Sequence, residues 1–299
     1  MKKTTLKKTT LNGRIRRISE HAPKAKKPHT KEQFGYFLAG LMDADGHIDT
    51  LGYIRIVFNQ KDVSVAYYIK KIIGYGSIKK IKGKVAYLFT CSHSKGIKRI
   101  RDLICNKLKT MSKIEQFNGR LVSKIGGKLT KLNRAVVLNN HWLAGFIQGD
   151  GSFQIKVLYR QCKTEIRLVI QIDQNSDTIL KEIQSVFGGY IGYRNSQNTY
   201  YYSSVSFSNA VRFIQYLDQY QVMGSCLTVY WIWRKAYLRV QNKTHNTEQG
   251  ISEIINFKNY SLLCILTRSL PKLSRCSNSL SIQTTITTIL VDSTKIVSE

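Results

Sequence analysis

Acidic residues are scarce in this sequence. Its 299 residues include 18 Asp and Glu against 47 Lys and Arg, which gives a formal net charge of +29. Such an excess is far larger than solubility requires, and it indicates an extended acidic partner, either nucleic acid or an anionic membrane surface. Long apolar runs are lacking as well. None approaches the roughly 18 residues of a membrane-spanning helix, which excludes an integral membrane protein.

Proline and cysteine are also infrequent. The chain has only three prolines, and together with long apolar-periodic stretches this argues against disorder throughout. None of the six cysteines forms a CxxC pair, so their spacing predicts neither a zinc site nor a compact disulfide framework. We expect reduced, mostly buried thiols, as in intracellular proteins. Hydrophobic residues make up 42% of the chain, enough for one large domain or two domains of about 150 residues.

The two ends of the chain differ in composition from its middle. Residues 1–31 hold eleven Lys or Arg and one acid, Glu20, so we predict a flexible basic arm over residues 1–30. Three interpretations of this arm stay open: a transit peptide, an arm that lies on phosphate, or a disordered remnant of a longer reading frame. Residues 258–299 are predicted to form an extension that is poorly ordered in part, since the chain from about residue 276 lacks helical period.

One nine-residue motif occurs twice. Residues Leu38–Gly46 read LAGLMDADG and residues Leu143–Gly151 read LAGFIQGDG, at an offset of 105 residues. Further along, Gln60 corresponds to Gln174 at an offset of 114 residues, and other matches share this second offset. A single change of offset indicates two copies of one structural unit, with an insertion of nine residues in the second.

Both copies predict the same order of helices and strands. A helix, over about 31–43 and 139–148, ends at the repeated Asp-Gly, and a strand pair with period-two alternation follows. The later elements are predicted as helices at 62–73 and 176–187, hairpins at 76–91 and 190–207, helices at 95–108 and 208–219, and last helices at 112–123 and 225–241. We therefore predict an α+β fold of two pseudo-symmetric αββαββα units with saddle-shaped antiparallel sheets, at residues 31–135 and 136–257.

Small residues lie in the middle of both repeated helices. A mid-helix Gly costs about 1 kcal/mol relative to Ala, so Gly40 and Gly145 favour close approach of another backbone. If the two helices pack about a two-fold axis, their C-terminal ends bring Asp45 and Asp150 together. Two carboxylates at the negative ends of helix dipoles repel each other, and Mg²⁺, which prefers one or two carboxylates plus waters and phosphates, relieves that repulsion. The motif therefore indicates metal-assisted hydrolysis of a phosphodiester.

Two simpler interpretations of the motif are weaker. Asp-Gly after a helix is often only a turn, but two copies in register within matching units are harder to explain in this way. The stretch from Asp43 to Ile48 also mimics the middle of an EF-hand loop. In that frame the first and twelfth ligand positions would be Leu41 and Gly52, so the pattern does not favour a calcium loop.

The two nonapeptides resemble the LAGLIDADG signature, and the duplicated order of elements resembles that of the single-chain, intron-encoded LAGLIDADG homing endonucleases of organelles. The resemblance covers about residues 31–257 and includes the stretch from Trp233 to Glu248. It implies a monomeric, Mg²⁺-dependent endonuclease that cuts double-stranded DNA at a long pseudo-symmetric target and leaves short 3′ overhangs. It also implies a mitochondrial location, with the chloroplast as an alternative and no membrane partner. Some members are RNA maturases, so a group I intron maturase, with or without DNA cleavage, stays open.

The resemblance assigns metal-binding roles to the motif residues. Asp45 and Asp150, the last acids of the two copies, bind two or three catalytic divalent ions at the pseudo-dyad. The preceding residues, Ala44 and Gly149, offer their backbone carbonyls to the same ions. The two strand faces become saddle-shaped surfaces that read DNA in the major groove.

Further catalytic roles follow from the same resemblance. Gln60 and Gln174 match a polar residue that organises water around the scissile phosphate, and Lys113 matches a lysine that supports the transition state. The position in the second unit that aligns with this lysine is Cys226, which departs from the family pattern and predicts unequal half-sites. Gln148 in place of the first motif acid is a milder departure, because that position is structural.

Polar side chains on the predicted strands are candidate DNA contacts. Arg pairs bidentately with guanine, and Gln or Asn with adenine, so a row of these residues can read bases. A solvated outer sheet face is the alternative, and the basic charge of the folded part favours DNA. The first hairpin's lysines are expected to contact phosphates, with a solvated surface equally open. Residues Tyr200–Tyr202 are expected to divide between core and surface. The predicted DNA-binding residues are Tyr53, Arg55, Asn59, Lys79, Lys80, Lys82, Gln154, Lys156, Arg160, Arg167, Gln171 and Arg194.

Overall fold

Two copies of one helix-and-sheet unit make up most of residues 17–160 and 163–273, which the computed structural model describes. The first unit consists of α1 (Lys31–Ala44), β1 (Gly46–Ile48), β2 (Ile54–Asn59), α2 (Val63–Ile73), β3 (Ser77–Lys80), β4 (Ala86–Cys91), α3 (Ser94–Ile104), α4 (Met111–Gln116) and α5 (Ser123–Ile125). The second consists of α6 (Trp142–Asp150), β5 (Gly151–Arg160), β6 (Lys163–Gln174), α7 (Thr178–Phe187), β7 (Tyr190–Arg194), β8 (Thr199–Ser204), α8 (Phe207–Gln219) and α9 (Gly224–Gln241). A final helix, α10 (Glu248–Leu273), follows.

Each unit contains one four-stranded antiparallel sheet, with strand orders β1-β2-β4-β3 and β5-β6-β8-β7. The repeated motif enters both sheets at the same place, because Gly46 lies opposite Ile56 and Gly151 lies opposite Ile172. The predicted α+β fold with two matching units is confirmed.

Helices cover one face of each sheet and leave the other face exposed. In β2, Ile54 and Ile56 are fully buried in the core with Ile69 of α2 and Ile100 of α3. Arg55 between them points to the opposite face and is exposed. Period-two alternation thus separates a core face from an outer face, as the sequence predicts.

The two units meet where α1 packs against α6. Glycines make this contact close: a Cβ atom on Gly40 would lie 1.9 Å from the carbonyl oxygen of Trp142, and one on Gly145 would lie 1.9 Å from that of Phe37. These two contacts are reciprocal, and no side chain larger than hydrogen fits either position. The close approach predicted from the mid-helix glycines is therefore present.

Gly40→Ala is expected to destabilise the protein by about 3 kcal/mol or more, because the added methyl group would collide with backbone that cannot move aside. The free energy of unfolding from urea denaturation measures the effect. Gly119→Ala is the matched control, since no atom lies within 4 Å of a Cβ at that position. Equal stability of the two variants would contradict the proposed packing.

Residues 17–30 do not form a free arm. The side chain of Gln241 accepts from the backbone N–H of Ile18 at 2.8 Å and donates to its carbonyl at 3.0 Å. Gln221 makes a similar pair of hydrogen bonds with the backbone of Lys26 and Lys24. The structure thus differs from the predicted flexible arm over this part, because glutamines of the second unit hold its backbone. Residues 1–16 of the prediction lie outside the described residues.

The predicted C-terminal extension begins as part of a helix. Residues 258–273 continue α10, whose Ser261 hydroxyl is buried and donates to the Phe153 carbonyl of β5 at 3.2 Å. Residues 274–299 of the prediction lie outside the described residues. In the ranges that the structure covers, no helix combines the length and the hydropathy needed to cross a membrane.

Candidate functional site

A cavity of about 1380 Å³ opens between the two units, beside the C-terminal ends of α1 and α6. Both units contribute to its wall, which brings together several residues that the sequence singled out. Among its lining residues are Ala44, Asp45, Asn59, Lys113, Gly149, Asp150, Gln174 and Arg194. A groove of this kind, shared between pseudo-symmetric halves, suits a ligand that is itself pseudo-symmetric.

The two motif acids reach this cavity because their helices end side by side. Asp45 is the C-terminal cap of α1, and Asp150 is the last residue of α6. A Cβ atom on Gly149 would lie 2.4 Å from the Cβ of Ala44 and 3.2 Å from Oδ2 of Asp45. The helix ends are thus in contact, and both carboxylates lie where the C-terminal partial charges of two helices are negative.

Gln174 lies against one of the acids. Its Nε2 donates to Oδ2 of Asp150 at 2.6 Å, from the last position of β6. The matching position in the first sheet is Phe58, which lies two residues beyond Ile56. Gln60 is exposed and starts the single 3₁₀ turn after β2. The sequence offset therefore pairs Gln60 with Gln174, whereas the strand register pairs Phe58 with Gln174. The catalytic role of Gln60 stays a prediction.

Lys113 and Cys226 occupy matching places on α4 and α9, each three residues after the N-cap of its helix. The Nζ of Lys113 donates to the carbonyl of Gly46, at the start of the first sheet. Cys226 is fully buried. The second unit therefore presents no lysine at this place, and Arg194 is a cation of the second unit that does line the cavity.

The first motif acid is structural. Asp43 is 3% exposed and accepts hydrogen bonds from the backbone and hydroxyl of Thr110 and from the indole of Trp142. Burial raises the pKa of this carboxyl to about 6, although its hydrogen bonds act in the opposite direction. In the second unit, Gln148 replaces it and accepts from the backbone N–H of Met223 at 2.8 Å. Glutamine thus retains the connection without a buried charge.

Two contacts between the units were not predicted from the sequence. The buried Nζ of Lys109 lies 2.6 Å from Oε1 of Glu182 in α7 and also donates to the backbone carbonyls of Asn133 and Ala135. In a second contact, the carboxylate of Asp62 in the first unit accepts from the backbone N–H and the hydroxyl of Ser225 at the start of α9. Neither pair stands in a recognisable motif, so the sequence held no signal for them.

The predicted DNA contacts of the first unit fall into two groups. Arg55 is exposed on the outer sheet face and lies 2.9 Å from Asp49, whose carboxylate also accepts from the backbone N–H of Tyr53. Asn59 is only 7% exposed, and its Oδ1 accepts from the backbone N–H of Lys61, so it differs from an open base-reading side chain. The lysines of the hairpin are exposed on the edge strand and its turn, at Lys79, Lys80 and Lys82.

The predicted DNA contacts of the second unit share one face of its sheet. Lys156 lies directly opposite Arg167, and Gln154 and Gln171 are on the same face. The carboxylate of Glu165 contacts two of the arginines, Arg167 at 2.6 Å and Arg160 at 3.0 Å. These bonds lower the pKa of the Glu165 carboxyl.

A second acid on this face, Asp173, lies 3.0 Å from Arg194 and accepts from Gln171. The guanidinium of Arg194 also stacks on Tyr201, with 4.5 Å between them. Tyr202 is fully buried and donates to the Gly188 carbonyl, so the tyrosines divide between core and surface as predicted. Glu165 and Asp173 were not among the predicted site residues, yet they hold Arg167 and Arg194 in place before any ligand binds.

The donor set around the motif acids fits a hard divalent cation. Across the described ranges, no three His, Cys, Asp or Glu side chains form a cluster that could hold a metal ion. Of the aspartates that line the cavity, Asp45 and Asp150 stand together at the two helix ends, and Ala44 and Gly149 line the cavity next to them in sequence. This sparse set of oxygens matches Mg²⁺, which keeps several waters and completes its shell with substrate phosphates.

Comparisons with known proteins give the family. The model of the LAGLIDADG endonucleases matches residues 143–237. A cox1 intron-2 protein of 37.2 kDa from Schizosaccharomyces pombe is 47% identical over 245 residues, which cover 80% of this chain and 76% of that protein. The intron-encoded DNA endonuclease ai2b of Dictyostelium discoideum is 25% identical over 203 residues, 64% of this chain and 72% of its own length.

Solved structures show the same fold. I-SmaMI bound to an uncleaved DNA target with calcium ions has a TM-score of 0.60 at 24% identity, covering 75% of this chain and 97% of that one. The meganuclease I-AabMI bound to uncleaved DNA has a TM-score of 0.59 at 19% identity with the same coverage. Two matched units joined through paired acidic motifs define a single-chain, two-motif nuclease. The chain belongs to the LAGLIDADG homing endonuclease family.

Proposed function

We propose that this chain is a site-specific endonuclease that cuts double-stranded DNA at a long pseudo-symmetric target, requires Mg²⁺ and leaves short 3′ overhangs. The observation that carries the proposal is the meeting of Asp45 and Asp150 at one cavity shared by the two units. The DNA-bound state of I-SmaMI supports a duplex DNA partner. The two outer sheet faces then lie along the two halves of the target, and a monomer suffices because one chain supplies both units.

The cavity residues divide the chemistry among them. Asp45 and Asp150, with the carbonyls of Ala44 and Gly149, would hold two or three divalent ions. Bound there, Mg²⁺ would neutralise charge on the scissile phosphate and lower the pKa of a water molecule. The amide of Gln174 fixes the Asp150 carboxylate through its 2.6 Å bond and has a second N–H that can orient water.

Cleavage of a plasmid that carries the cognate sequence tests this function. The target is first obtained by selection of cleaved members from a randomised DNA library. We expect linear plasmid in the presence of Mg²⁺ and none in the presence of a chelator, with ends that ligate only to matching 3′ overhangs. Sequence-specific binding without any cleavage would instead establish a DNA-binding protein that has lost its nuclease activity.

A second candidate function is that of a group I intron maturase, with or without DNA cleavage. The exposed residues Lys70, Lys71, Lys95 and Lys98 of α2 and α3 favour it, because they are not among the residues that line the cavity. Stimulated splicing of a precursor transcript by the purified protein would support this function. For location we propose the mitochondrial matrix, with the chloroplast as the alternative, since the Schizosaccharomyces pombe relative is a cox1 intron protein.

Phosphate contacts and base contacts are expected to respond differently to mutation. Replacement of Lys79 and Lys80 by Ala should weaken binding to all DNA sequences alike and flatten the salt dependence, whose log–log slope is about −0.9 per neutralised phosphate. Arg167→Ala should relax preference at one base pair and cost about 1–3 kcal/mol there. Binding titrations over a range of salt, with a library of single-base variants of the target, measure both effects.

An unchanged base-preference profile for Arg167→Ala would show that this sheet face does not read bases. Glu165→Gln is a useful companion, because it removes the acid that holds the Arg167 guanidinium and leaves the arginine in place. If Glu165 positions that arginine, Glu165→Gln should relax the preference at the same base pair, but to a smaller degree than Arg167→Ala.

A further inference from the structure

The two sheets differ most in the hairpin that follows the repeated motif. β5 and β6 pair over ten positions, the last of which sets Arg160 opposite Lys163, whereas β1 and β2 pair over three. β8 pairs with β6 only as far as Ile170, so the last seven pairs of the longer ladder project beyond the rest of the second sheet. We call this projecting part, residues 154–160 and 163–169, the β5–β6 ribbon.

In the first unit, side chains end the same hairpin after three residues. The carboxylate of Asp49 accepts from the backbone N–H of Tyr53 at 2.9 Å and so reverses the chain directly after β1. On the outer edge of β1, Gln116 accepts from the backbone N–H of Ile48 at 3.1 Å, and Arg120 donates to its carbonyl at 2.7 Å. The backbone groups at the end of this strand thus have partners, and the short hairpin is a defined part of the first unit.

In the second unit, α10 supports the long hairpin. This helix packs against β5, and the buried hydroxyl of Ser261 donates to the Phe153 carbonyl at 3.2 Å. Val157 and Ile166, which lie opposite each other in the β5–β6 ribbon, are half-buried against the core. In the first unit, α5 is followed by a linker with a single 3₁₀ turn before α6, so α10 has no counterpart there. The difference in hairpin length is therefore matched by a difference in the helices that support it.

The β5–β6 ribbon carries basic side chains away from the cavity. β5 begins directly after Asp150, so its residues lie progressively further from the two motif acids. Lys156 and Arg160 are exposed, and Glu165 lies 3.0 Å from Arg160 and 2.6 Å from Arg167. The major groove of B-DNA is wide enough to admit a two-stranded β-ribbon, and arginine is the commonest side chain that reads guanine there.

The length of the β5–β6 ribbon sets how much DNA it can contact. Seven residues at about 3.4 Å each span about 24 Å, which equals the rise of about seven base pairs. Twist of the strands turns part of that length away from the groove. We therefore expect about three to seven base pairs within reach of the ribbon that no strand of the first sheet can match.

We propose that the two half-sites of the DNA target differ in length: the second unit reads at least about three base pairs more than the first, and the β5–β6 ribbon reads them. This asymmetry rests on the proposed function, because it requires duplex DNA along both outer sheet faces. The target is then pseudo-symmetric near its centre and carries outer sequence information at one end. Base changes at the outer end of the first unit's half-site are tolerated.

The test measures binding, so that it does not depend on cleavage. Bound members of a randomised duplex library are selected in the presence of Ca²⁺, with which I-SmaMI is bound to an uncleaved target. Base preferences should extend at least about three base pairs further from the pseudo-symmetric centre on one side than on the other. Shortening a fluorescent duplex by those base pairs on the long side should weaken binding about tenfold, and the same shortening on the other side by less than about twofold.

The variant Lys156→Ala/Arg160→Ala connects the longer half-site to the β5–β6 ribbon. It should bind the full duplex about tenfold more weakly than the native protein, and shortening of the long side should then weaken its binding little further. The matched control, Lys79→Ala/Lys80→Ala, removes the same charge from the first sheet and should stay as sensitive to that shortening as the native protein. All four side chains are exposed, so both variants should fold, and unfolding curves check this.

Two results would overturn the proposal: base preferences that extend equally far on both sides, or a Lys156→Ala/Arg160→Ala variant that keeps the native sensitivity to shortening of the long side. Either result would leave the proposed endonuclease function intact, because both concern only how the contacts are distributed along the target. Absence of any sequence-specific binding to duplex DNA would instead refute the proposed function, and the unequal half-sites with it.

Discussion

The variants Asp45→Asn and Asp150→Asn are each expected to lose double-strand cleavage by about a thousandfold or more while they retain DNA binding. Asparagine preserves the shape of the side chain but removes the negative charge that attracts Mg²⁺. Asp45 caps α1 and Asp150 ends α6. Because the two helices pack together, each acid would bind metal at one of two adjoining sites. Removal of one acid should also reduce repulsion of the DNA phosphates, and binding should become slightly tighter.

Gel-shift affinity and plasmid cleavage, measured on the same protein preparations, check this prediction. Asp102→Asn serves as the matched control because its carboxylate is 67% exposed on α3, away from the cavity. That control should cleave at the native rate. Full cleavage by either motif variant would refute the assignment of the acids as metal ligands.

Much of the architecture was predictable because it depends on local patterns. The two copies of the motif predicted the helices that end at Asp45 and Asp150, and their glycines predicted the close packing of α1 on α6. Alternation along β5 predicted that Phe153 and Ile155 face the core, but it did not predict that the strand leaves the core at its far end, where Tyr159 is 71% exposed. Both patterns follow from the periodicity of the helix and the strand, which can be recognised from consecutive residues in the sequence.

The remaining features depend on contacts between distant segments. Gln60 was paired with Gln174 by sequence offset, but a strand can shift its register by two residues at a turn without any change in local pattern. Lys109 reaches Glu182 of the other unit, and Gln241 holds the backbone of Ile18, only because the folded chain brings them together. Spacing alone carries no information about such contacts.

The two DNA strands are expected to be cut at unequal rates. Lys113 presents an ammonium group at the first sheet, whereas the second unit has Cys226, a fully buried thiol without positive charge, at the matching place. Loss of one stabilising donor near a developing charge costs about 10²–10³ in rate.

A time course on supercoiled plasmid, with each strand end-labelled in parallel, measures the asymmetry. Nicked circles should rise and then decay, and the same strand should always be cut first. Lys113→Ala should slow that first cut by about 10²–10³ and leave the second strand nearly unaffected. Cys226→Lys should shrink the nicked population, provided that its unfolding curve shows a folded protein, and Cys226→Ser should not change it.

Arg194 is the cation that could compensate for the missing lysine, since it lines the cavity from the second unit. It is, however, engaged by Asp173 at 3.0 Å and by the ring of Tyr201, which hold it on the outer sheet face. Arg194→Ala should therefore weaken DNA binding without changing the ratio of the two strand rates. Equal strand rates in the native protein, made unequal by Arg194→Ala, would show that this arginine has replaced the lysine. Equal rates in both proteins, together with no effect of Lys113→Ala, would remove Lys113 from the catalytic residues.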